Sequence, residues 1–327
     1  MKYVVVYATD ENYVKLTAVS ICSLLLNNPK LKIAVLASNI SNESKRILHS
    51  ITEKHNGDLQ IINIEGALQK VKDIGANGYV SFSAYSRLFI ASLLDEDIER
   101  ALYVDGDTLV SGSIKPLFEL DLEGKPFAIG YDCICNKYKA LIDLPPNAPY
   151  FNSGVLLMDL PLWRKKRCTE RIFDYMSNVR NDLMFGDQDY FSLVLANDAA
   201  TLPPQYNFLT HFQMFKTRND VLRATGIPES AWYTEEQYAG ARKNPIIHHF
   251  LGHTLGRPWY RESLNPLRPL YQKIAVEAGL SEIAEQSRPT EFEHKILFLA
   301  WKTLPHALFS YVCRTMYSYY FRTRYGV

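Results

Sequence analysis

Between residues 2 and 104 the chain alternates between two hydrophobic periods, and that alternation constrains its fold more tightly than any other feature. Lys2 to Ala8 is a short β-branched apolar run of the kind that forms a buried parallel strand. From Val14 to Leu26 the apolar residues Val14, Leu16, Val19, Ile21 and Leu24 recur at helical spacing. Leu31 to Ala37 reads as a second strand. Ser41 then supplies an N-cap for a helix carrying Ile47, Leu48 and Ile51 on its inner face, and Gly57 closes that unit. Leu59 to Ile64, Tyr85 to Leu94 and Arg100 to Val104 add a strand, a helix and a fourth strand. This β-α-β-α-β-α-β order predicts an α/β fold, an open and mainly parallel Rossmann-like sheet flanked by helices. In such sheets ligands gather beyond the carboxyl ends of the strands, which is where chemistry should be sought.

Further strands are expected at Pro126 to Tyr131 and Ser153 to Met158. Asp159 can cap a following helix with Pro161 in its first turn and Trp163 on its inner side. Residues 200–260 are rich in Pro, Gly and aromatics with weak periodicity, and read as loops and short elements closing over the sheet. Leu267 to Ala278 is a helical stretch, followed by a polar break around Ser287-Arg288-Pro289. The expected organisation is one domain over 1–260, a helical extension over 261–290 and a C-terminal tail over 291–327. Composition removes several function classes. With 36 Lys plus Arg against 35 Asp plus Glu, the formal net charge of +1 argues against a whole-chain nucleic-acid binder. No apolar run approaches the roughly 18 residues a spanning helix needs. The start Met1-Lys2-Tyr3-Val4-Val5-Val6 enters a strand with no signal-peptide pattern ahead of it. Five scattered cysteines make no disulfide framework, and Cys133 with Cys135 lacks the second pair of a zinc site. A reduced, cytosolic compartment is therefore expected.

Asp105-Gly106-Asp107 follows immediately after the strand Leu102-Tyr103-Val104. Strand alternation aims residues 105 and 107 to the same side, and Gly106 allows close backbone approach to a ligand. Two carboxylates at a strand's carboxyl end make a hard-oxygen site for Mg²⁺ or Mn²⁺. An isolated Asp-x-Asp is equally a simple turn after a strand. It also overlaps the Asp-x-Asp-x-Thr of haloacid-dehalogenase-like phosphatases, although here Leu occupies position 109 and the Thr is at 108. Three other segments carry chemistry. Tyr7-Ala8-Thr9-Asp10-Glu11-Asn12-Tyr13 offers hydrogen-bonding groups for a nucleobase edge, or else a helix cap through Asp10. Tyr150-Phe151-Asn152-Ser153-Gly154, with Gly186-Asp187-Gln188-Asp189 opening a new helix, offers Asn152, Asp187 and Gln188 as donors and acceptors for sugar hydroxyls. Ile246-Ile247-His248-His249-Phe250-Leu251-Gly252, running on to Gly256-Arg257-Pro258-Trp259, combines imidazoles that can complete a divalent-ion site with a glycine-containing cationic loop that can enclose a diphosphate.

With every block in order across residues 1–260, the chain resembles glycosyltransferase family 8, especially its bacterial lipopolysaccharide glucosyl- and galactosyltransferases, distant kin of glycogenin. The resemblance implies a GT-A fold and a retaining, metal-dependent hexosyltransferase. It further implies a UDP-linked glucose or galactose donor and a glycan or glycolipid acceptor of cell-surface type. By position, it implies Mn²⁺ (Mg²⁺ possible) held by Asp105, Asp107 and His249, with His248 as the other imidazole to weigh. Ala8, Asp10 and Asn12 would contact uridine, Arg87 and Gly106 the donor's sugar and phosphate side, and Asn152, Asp187 and Gln188 the hexose. Asp132, in Gly130-Tyr131-Asp132, would lie near the acceptor. Gln188, with Asp187 and Asp189 as alternatives, matches the position from which a nucleophile would act; an amide is a poor one, so a front-face substitution is favoured. Two departures stand out. The family loop His-aromatic-x-Gly-Pro-x-Lys-Pro-Trp here reads His249-Phe250-Leu251-Gly252-His253-Thr254-Leu255-Gly256-Arg257-Pro258-Trp259. Arg257 replaces the usual Lys, and His253 is an additional donor, so the diphosphate clamp falls to Gly252 with Arg257 or His253. The readings competing with a transferase are the phosphatase and a catalytically inactive sugar-nucleotide-binding relative.

From Lys295 onward Lys295, Lys302, Arg314, Arg322 and Arg324 are interleaved with Phe298, Trp301, Phe309, Tyr311, Tyr317, Tyr319, Tyr320, Phe321 and Tyr325, without Asp or Glu. Basic residues beside aromatics suit an interfacial helix on anionic lipid. The same residues also suit a helix packed on the domain. Together with the absence of a leader pattern, the first reading places the protein in the cytoplasm, peripheral on the inner face of the membrane.

Overall fold

The structure, a computed structural model, describes residues 2–74, 82–179, 183–251, 255–285, 287 and 292–325. The chain divides into two compact units, one of residues 1–130 with 151–202 and the other of residues 131–150 with 203–327. The first unit begins β1 (Tyr3–Asp10), α1 (Val14–Asn27), β2 (Lys32–Ser38), α2 (Asn42–Lys54), β3 (Asp58–Asn63) and α3 (Glu65–Asp73). A 3₁₀ segment, Phe82–Phe89, leads into α4 (Ile90–Leu93), β4 (Arg100–Val104), β5 (Thr108–Val110), α5 (Lys115–Phe118) and β6 (Phe127–Tyr131). After α6 (Asn136–Leu141) come β7 (Phe151–Asp159), α7 (Leu160–Lys165), α8 (Cys168–Asn178), α9 (Asp187–Val194) and β8 (Ala199–Thr201).

All of these strands except β5 form a seven-stranded sheet in the order β3-β2-β1-β4-β7-β6-β8. It is mainly parallel, with β7 antiparallel to β4. The fold is therefore α/β, as the sequence predicts. Val4, Val5, Val6 and Tyr7 are all buried, which is why β1 reads as a continuous apolar run rather than an alternating one. Two elements differ from expectation. β1 extends to Asp10, so the first part of the polar segment after it is strand. The helix expected from Tyr85 is 3₁₀ as far as Phe89 and α-helical only over Ile90–Leu93.

Helix α1 positions the Asp105–Asp107 turn, and it does so through polar residues. Ser20 Oγ lies 2.7 Å from Thr108 Oγ1, and Val110 N donates to Ser23 Oγ at 2.9 Å. Asn27 Nδ2 donates to Val110 O, Asn28 Nδ2 donates to Gly112 O, and Ile114 N donates to Asn28 Oδ1. One helix face is thus zipped to residues 108–114, and the turn between β4 and β5 is pressed against its first turns. The close approach that Gly106 permits is to this helix: a Cβ there would meet Thr17 Oγ1 at 2.3 Å and Thr17 Cα at 3.3 Å. The Thr17 hydroxyl is fixed by Tyr13 O and Thr9 Oγ1, both at 3.1 Å, so it cannot simply turn away.

The second unit contains α6 and β9 (Phe208–Leu209), α10 (Thr210–Met214), α11 (Arg218–Thr225), α12 (Glu235–Lys243) and β10 (Ile247–His249). It continues with α13 (Arg268–Glu277), α14 (Phe292–Thr303) and α15 (His306–Tyr325). Its core gathers Phe208, Phe212, Trp232, Tyr233, Tyr238 and Phe309. The segment read as loops between residues 200 and 260 is more regular than expected. Helices α11 and α12 each open with a capping box, Thr217 with Asp220 and Thr234 with Gln237, and Gly226 ends α11 at φ 75°. Caps rather than a long apolar stripe define these helices, and periodicity does not register them. β9 and β10 pair in parallel, with Phe208 opposite His248 and Leu209 opposite His249.

The packing at Gly106 is directly testable. Gly106→Ala should lower the unfolding free energy by about 1–3 kcal/mol, the usual cost of overpacking. In a Thr17→Ala background, urea denaturation should recover more than half of that loss.

Candidate functional site

Asp105 follows β4, and its amide donates to Gly154 O at 2.8 Å. Because β7 runs antiparallel to β4, with Val104 opposite Val155, the beginning of β7 lies at the carboxyl end of β4. That register places Asn152 and Ser153 beside Asp105. Arg87, from the 3₁₀ segment, ties these strand ends to helix α9. Its Nη2 donates to Asp105 Oδ1 at 3.0 Å, its Nη1 donates to Ser153 O, and its Nε donates to Ala84 O at 2.9 Å. The same Nε lies 3.1 Å from Asp187 Oδ2. The guanidinium covers the Tyr103 ring at 4.4 Å, and Tyr103 OH donates to Asp105 Oδ1 at 2.5 Å. Desolvation pulls the Arg87 pKa down, but Asp105 and Asp187 outweigh it and hold the pKa above the ordinary arginine value. Burial raises the Asp187 carboxyl to about 6, against the opposing pull of Arg87.

Asn152 and Gln188 are brought together: Asn152 Nδ2 donates to Gln188 Oε1 at 3.2 Å, and Gly154 N donates to Asn152 Oδ1 at 3.1 Å. Asp189 is directed elsewhere. It is fully buried, and its Oδ2 accepts from Phe185 N at 2.8 Å. At the start of the sheet, Ala8 and Asp10 lie at the carboxyl end of β1, opposite Leu36 and Ser38. Asp10 Oδ1 accepts from Asn12 N and Tyr13 N at 2.9 and 3.1 Å, so its carboxylate orders the turn ahead of α1. Asn12 is exposed within that turn.

In the second unit, consecutive histidines occupy β10. His248 packs against Phe208 with ring centroids 6.0 Å apart, and burial lowers its pKa to about 4. His249 is also buried, and its Nδ1 lies 3.0 Å from Asn207 Oδ1. Asp132 is buried; its Oδ1 accepts from Cys133 N at 2.5 Å, and its carbonyl accepts from Trp232 Nε1 at 3.0 Å. The Arg257 guanidinium lies 5.3 Å from the Trp259 ring centroid. Gly252 and His253 fall outside the described residues.

Asp105, Asp107 and His249 form a candidate metal site: each offers one ligand atom, and these atoms lie within 4.8 Å of one another. Two carboxylates and one imidazole make a mixed oxygen and nitrogen donor set for a divalent ion. Of the two imidazoles weighed from sequence, His249 belongs to this cluster.

The sequence profile described as "Glycosyl transferase family 8" matches residues 4–263. The chain belongs to this family. It is 26% identical over 274 residues to general stress protein A of Bacillus subtilis (strain 168), covering 82% of this chain and 91% of that protein. It is 27% identical over 278 residues to lipopolysaccharide 1,2-glucosyltransferase of Escherichia coli (strain K12), covering 84% and 77%. In fold it is similar to galactosyltransferase LgtC in complex with donor and acceptor sugar analogs, with a TM-score of 0.68 at 20% identity over 88% of this chain and 98% of that one. The protein is a family 8 glycosyltransferase, and the phosphatase reading of Asp105-Gly106-Asp107-Thr108-Leu109 is set aside. The local chemistry agrees, because Thr108 Oγ1 donates to Asp105 O at 2.8 Å and Leu109 is buried.

In this glycosyltransferase, two contributors near Asp105 escape a motif search. Tyr103 was legible in principle, since it shares a strand face with residue 105 two positions later. Ser153 contributes through its carbonyl, which accepts from Arg87, and through a side-chain hydrogen bond with Asp187. The burial of Asp187 has a measurable consequence. Its folded pKa lies above the unfolded value of 3.8, so the folded state holds that proton more tightly. The resulting stabilisation is complete below about pH 4 and is lost as pH rises through about 6. The unfolding free energy of the metal-free wild type, relative to Asp187→Asn, should fall by about 2 kcal/mol between pH 4 and pH 7. Parallel urea titrations across that range check it.

Proposed function

We propose that this glycosyltransferase moves a glucose or galactose unit from a UDP-sugar to a lipopolysaccharide or other cell-surface glycan precursor, with retention of anomeric configuration. The observation that carries the reading is the meeting of Asp105, Asp107 and His249 ligand atoms within 4.8 Å. In the proposal these three side chains hold a divalent cation, Mn²⁺ in preference to Mg²⁺ because one donor is an imidazole. When bound, that ion supplies Lewis-acid stabilisation of the negative charge on the departing diphosphate.

The remaining roles fall to the chain's own residues. Ala8, Asp10 and Asn12 line the end of β1 where a uracil and ribose are bound. Arg87 keeps Asp105 oriented and meets the donor beside Gly106. Arg257, with Gly252, binds the diphosphate and excludes water that would compete as acceptor. Asn152, Asp187 and Gln188 contact the hexose hydroxyls, and Asp132 contacts the acceptor. Asp189, fully buried and bonded to Phe185 N, is poorly suited to attack a sugar, and Gln188 is an amide. The reading is therefore a front-face substitution. The acceptor oxygen bonds to the anomeric carbon on the face from which the diphosphate leaves. The departing phosphate oxygen takes the electron pair of the broken bond and receives the acceptor's proton. Isolation of a covalent sugar adduct on Asp187 or Asp189 would overturn this part.

The decisive assay is UDP release from UDP-glucose and UDP-galactose, with Mn²⁺ and with chelator. Release should require the ion and should fall on the order of 100-fold in Asp107→Asn. Equal release under chelation would overturn the metal-dependent reading. UDP binding without release would mark an inactive relative.

The C-terminal helices support a membrane-surface location in the same proposal. No helix among the described residues is long and apolar enough to cross a membrane. In α15 one face is core: Phe309, Cys313 and Phe321 are buried, and Phe309 packs 5.7 Å from Phe215. The other face exposes Leu308, Tyr311, Tyr319 and Tyr320 with Arg314 and Arg322. Both readings of the tail thus find a face, and the exposed one is proposed to rest on anionic lipid at the cytoplasmic side. Charge reversal of Arg314 and Arg322 leaves the buried face intact. It should abolish co-sedimentation with phosphatidylglycerol-containing vesicles while leaving UDP release unchanged; undiminished sedimentation would refute the location.

A further inference from the structure

No sequence motif marks Asn207, and its role rests on the reading of His249 as a metal ligand. Asn207 precedes β9, which pairs in parallel with β10. Leu209 is the register partner of His249, and side chains two apart on an extended chain face the same way, so Asn207 shares the face of the His249 ring. It is buried, and its Oδ1 lies 3.0 Å from His249 Nδ1. The backbone around this pair is fixed on both sides: Ile246 N donates to Gln205 O at 2.8 Å, and Thr210 Oγ1 donates to His249 O at 3.2 Å. Residues 205–210 and 246–249 are therefore stitched together above and below the contact.

An amide oxygen only accepts, so the contact requires a proton on Nδ1. In a neutral imidazole that leaves the lone pair on Nε2. We infer that Asn207 is a positioning residue that selects the Nδ1–H tautomer of His249 and holds the ring so that Nε2 is the atom offered to a divalent cation. Asn207 does not touch the ion or the sugar in this account; it acts through His249. Without its acceptor the ring samples both tautomers and other rotations, and part of the population presents a protonated Nε2 that cannot ligate. Partners of this kind change metal affinity by roughly 10- to 100-fold when removed.

The test uses the full chain and Mn²⁺ alone. Long-range ¹⁵N–¹H spectra of histidine-labelled, metal-free wild type should show His249 as the Nδ1–H tautomer, assigned by its loss in His249→Gln. An Nε2–H tautomer there overturns the inference without any variant at position 207. Electron paramagnetic resonance titration should show Mn²⁺ binding roughly 10- to 100-fold weaker in Asn207→Leu, which keeps the volume and removes the acceptor. Asn207→Asp, which keeps an acceptor oxygen, should retain both the tautomer and most of the affinity, including where the leucine variant folds poorly. If His249→Gln leaves Mn²⁺ affinity unchanged, the reading of His249 as a ligand fails. If His249→Gln weakens binding and Asn207→Leu does not, that reading stands and the role of Asn207 falls.

Discussion

The guanidinium of Arg87 is almost wholly buried, and its donors are distributed among separate parts of the first unit: Ala84 in its own segment, Asp105 after β4, Ser153 in β7 and Asp187 at the start of α9. A buried cation is tolerable only when opposing charge and good hydrogen-bond geometry surround it, and here both are present. The consequence reaches beyond stability. Two donors, Arg87 Nη2 and Tyr103 OH, converge on one oxygen of Asp105. That carboxylate is held against rotation, and the direction of its second oxygen is set. The cost of the arrangement falls on Asp187, whose carboxyl is raised by the same burial that makes the ion pair strong.

A comparable restraint acts on the turn itself. Helix α1 carries Thr17, Ser20 and Ser23 as buried residues, where an ordinary amphipathic helix would carry apolar ones. The hydroxyls of Ser20 and Ser23, with the carboxamides of Asn27 and Asn28, bind the strand and loop that follow Asp107. Such bonds are directional, so they fix register where apolar packing would leave room to slide. The glycine between the two aspartates belongs to this interface, because Thr17 occupies the space a Cβ would need. The Asp-Gly-Asp spacing is thus set on one side by what the carboxylates are aimed at and on the other by what lies behind them.

The strands of the first unit were legible because a sheet covered on both faces demands unbroken apolar runs, and β1, β2 and β4 supply them. Ser41 and Asp159 were legible as caps because each precedes a clear helix and accepts from its first turn. Helices α11 and α12 were not, since each is eight or nine residues long and is defined by Thr217 and Thr234 at its start. Among the site residues, those on motifs were found and those joined by tertiary geometry were not. Asn207 meets His249 across 42 residues of sequence, and nothing local to either one announces the other. The 3₁₀ character of the segment carrying Arg87 was hidden for a related reason: its apolar residues recur at spacings that suit either helix type.

The pair His248-His249 shows how one strand assigns different work to identical neighbours. Alternation sends their side chains to opposite faces, so the local sequence cannot rank them until the partner strand is known. Opposite Phe208, His248 enters apolar surroundings that push its pKa down to about 4, and it stays uncharged at neutral pH as packing material. Opposite Leu209, His249 meets the Asn207 carboxamide, which satisfies one ring nitrogen and defines the other as the lone-pair donor. A one-residue slip of β10 against β9 would exchange these environments, turning His248 to the Asn207 side and placing His249 on the face of Phe208. Register is therefore what converts two equivalent histidines into one core residue and one candidate ligand. The hydrogen bonds from Ile246 N to Gln205 O and from Thr210 Oγ1 to His249 O are what hold that register in so short a pair of strands.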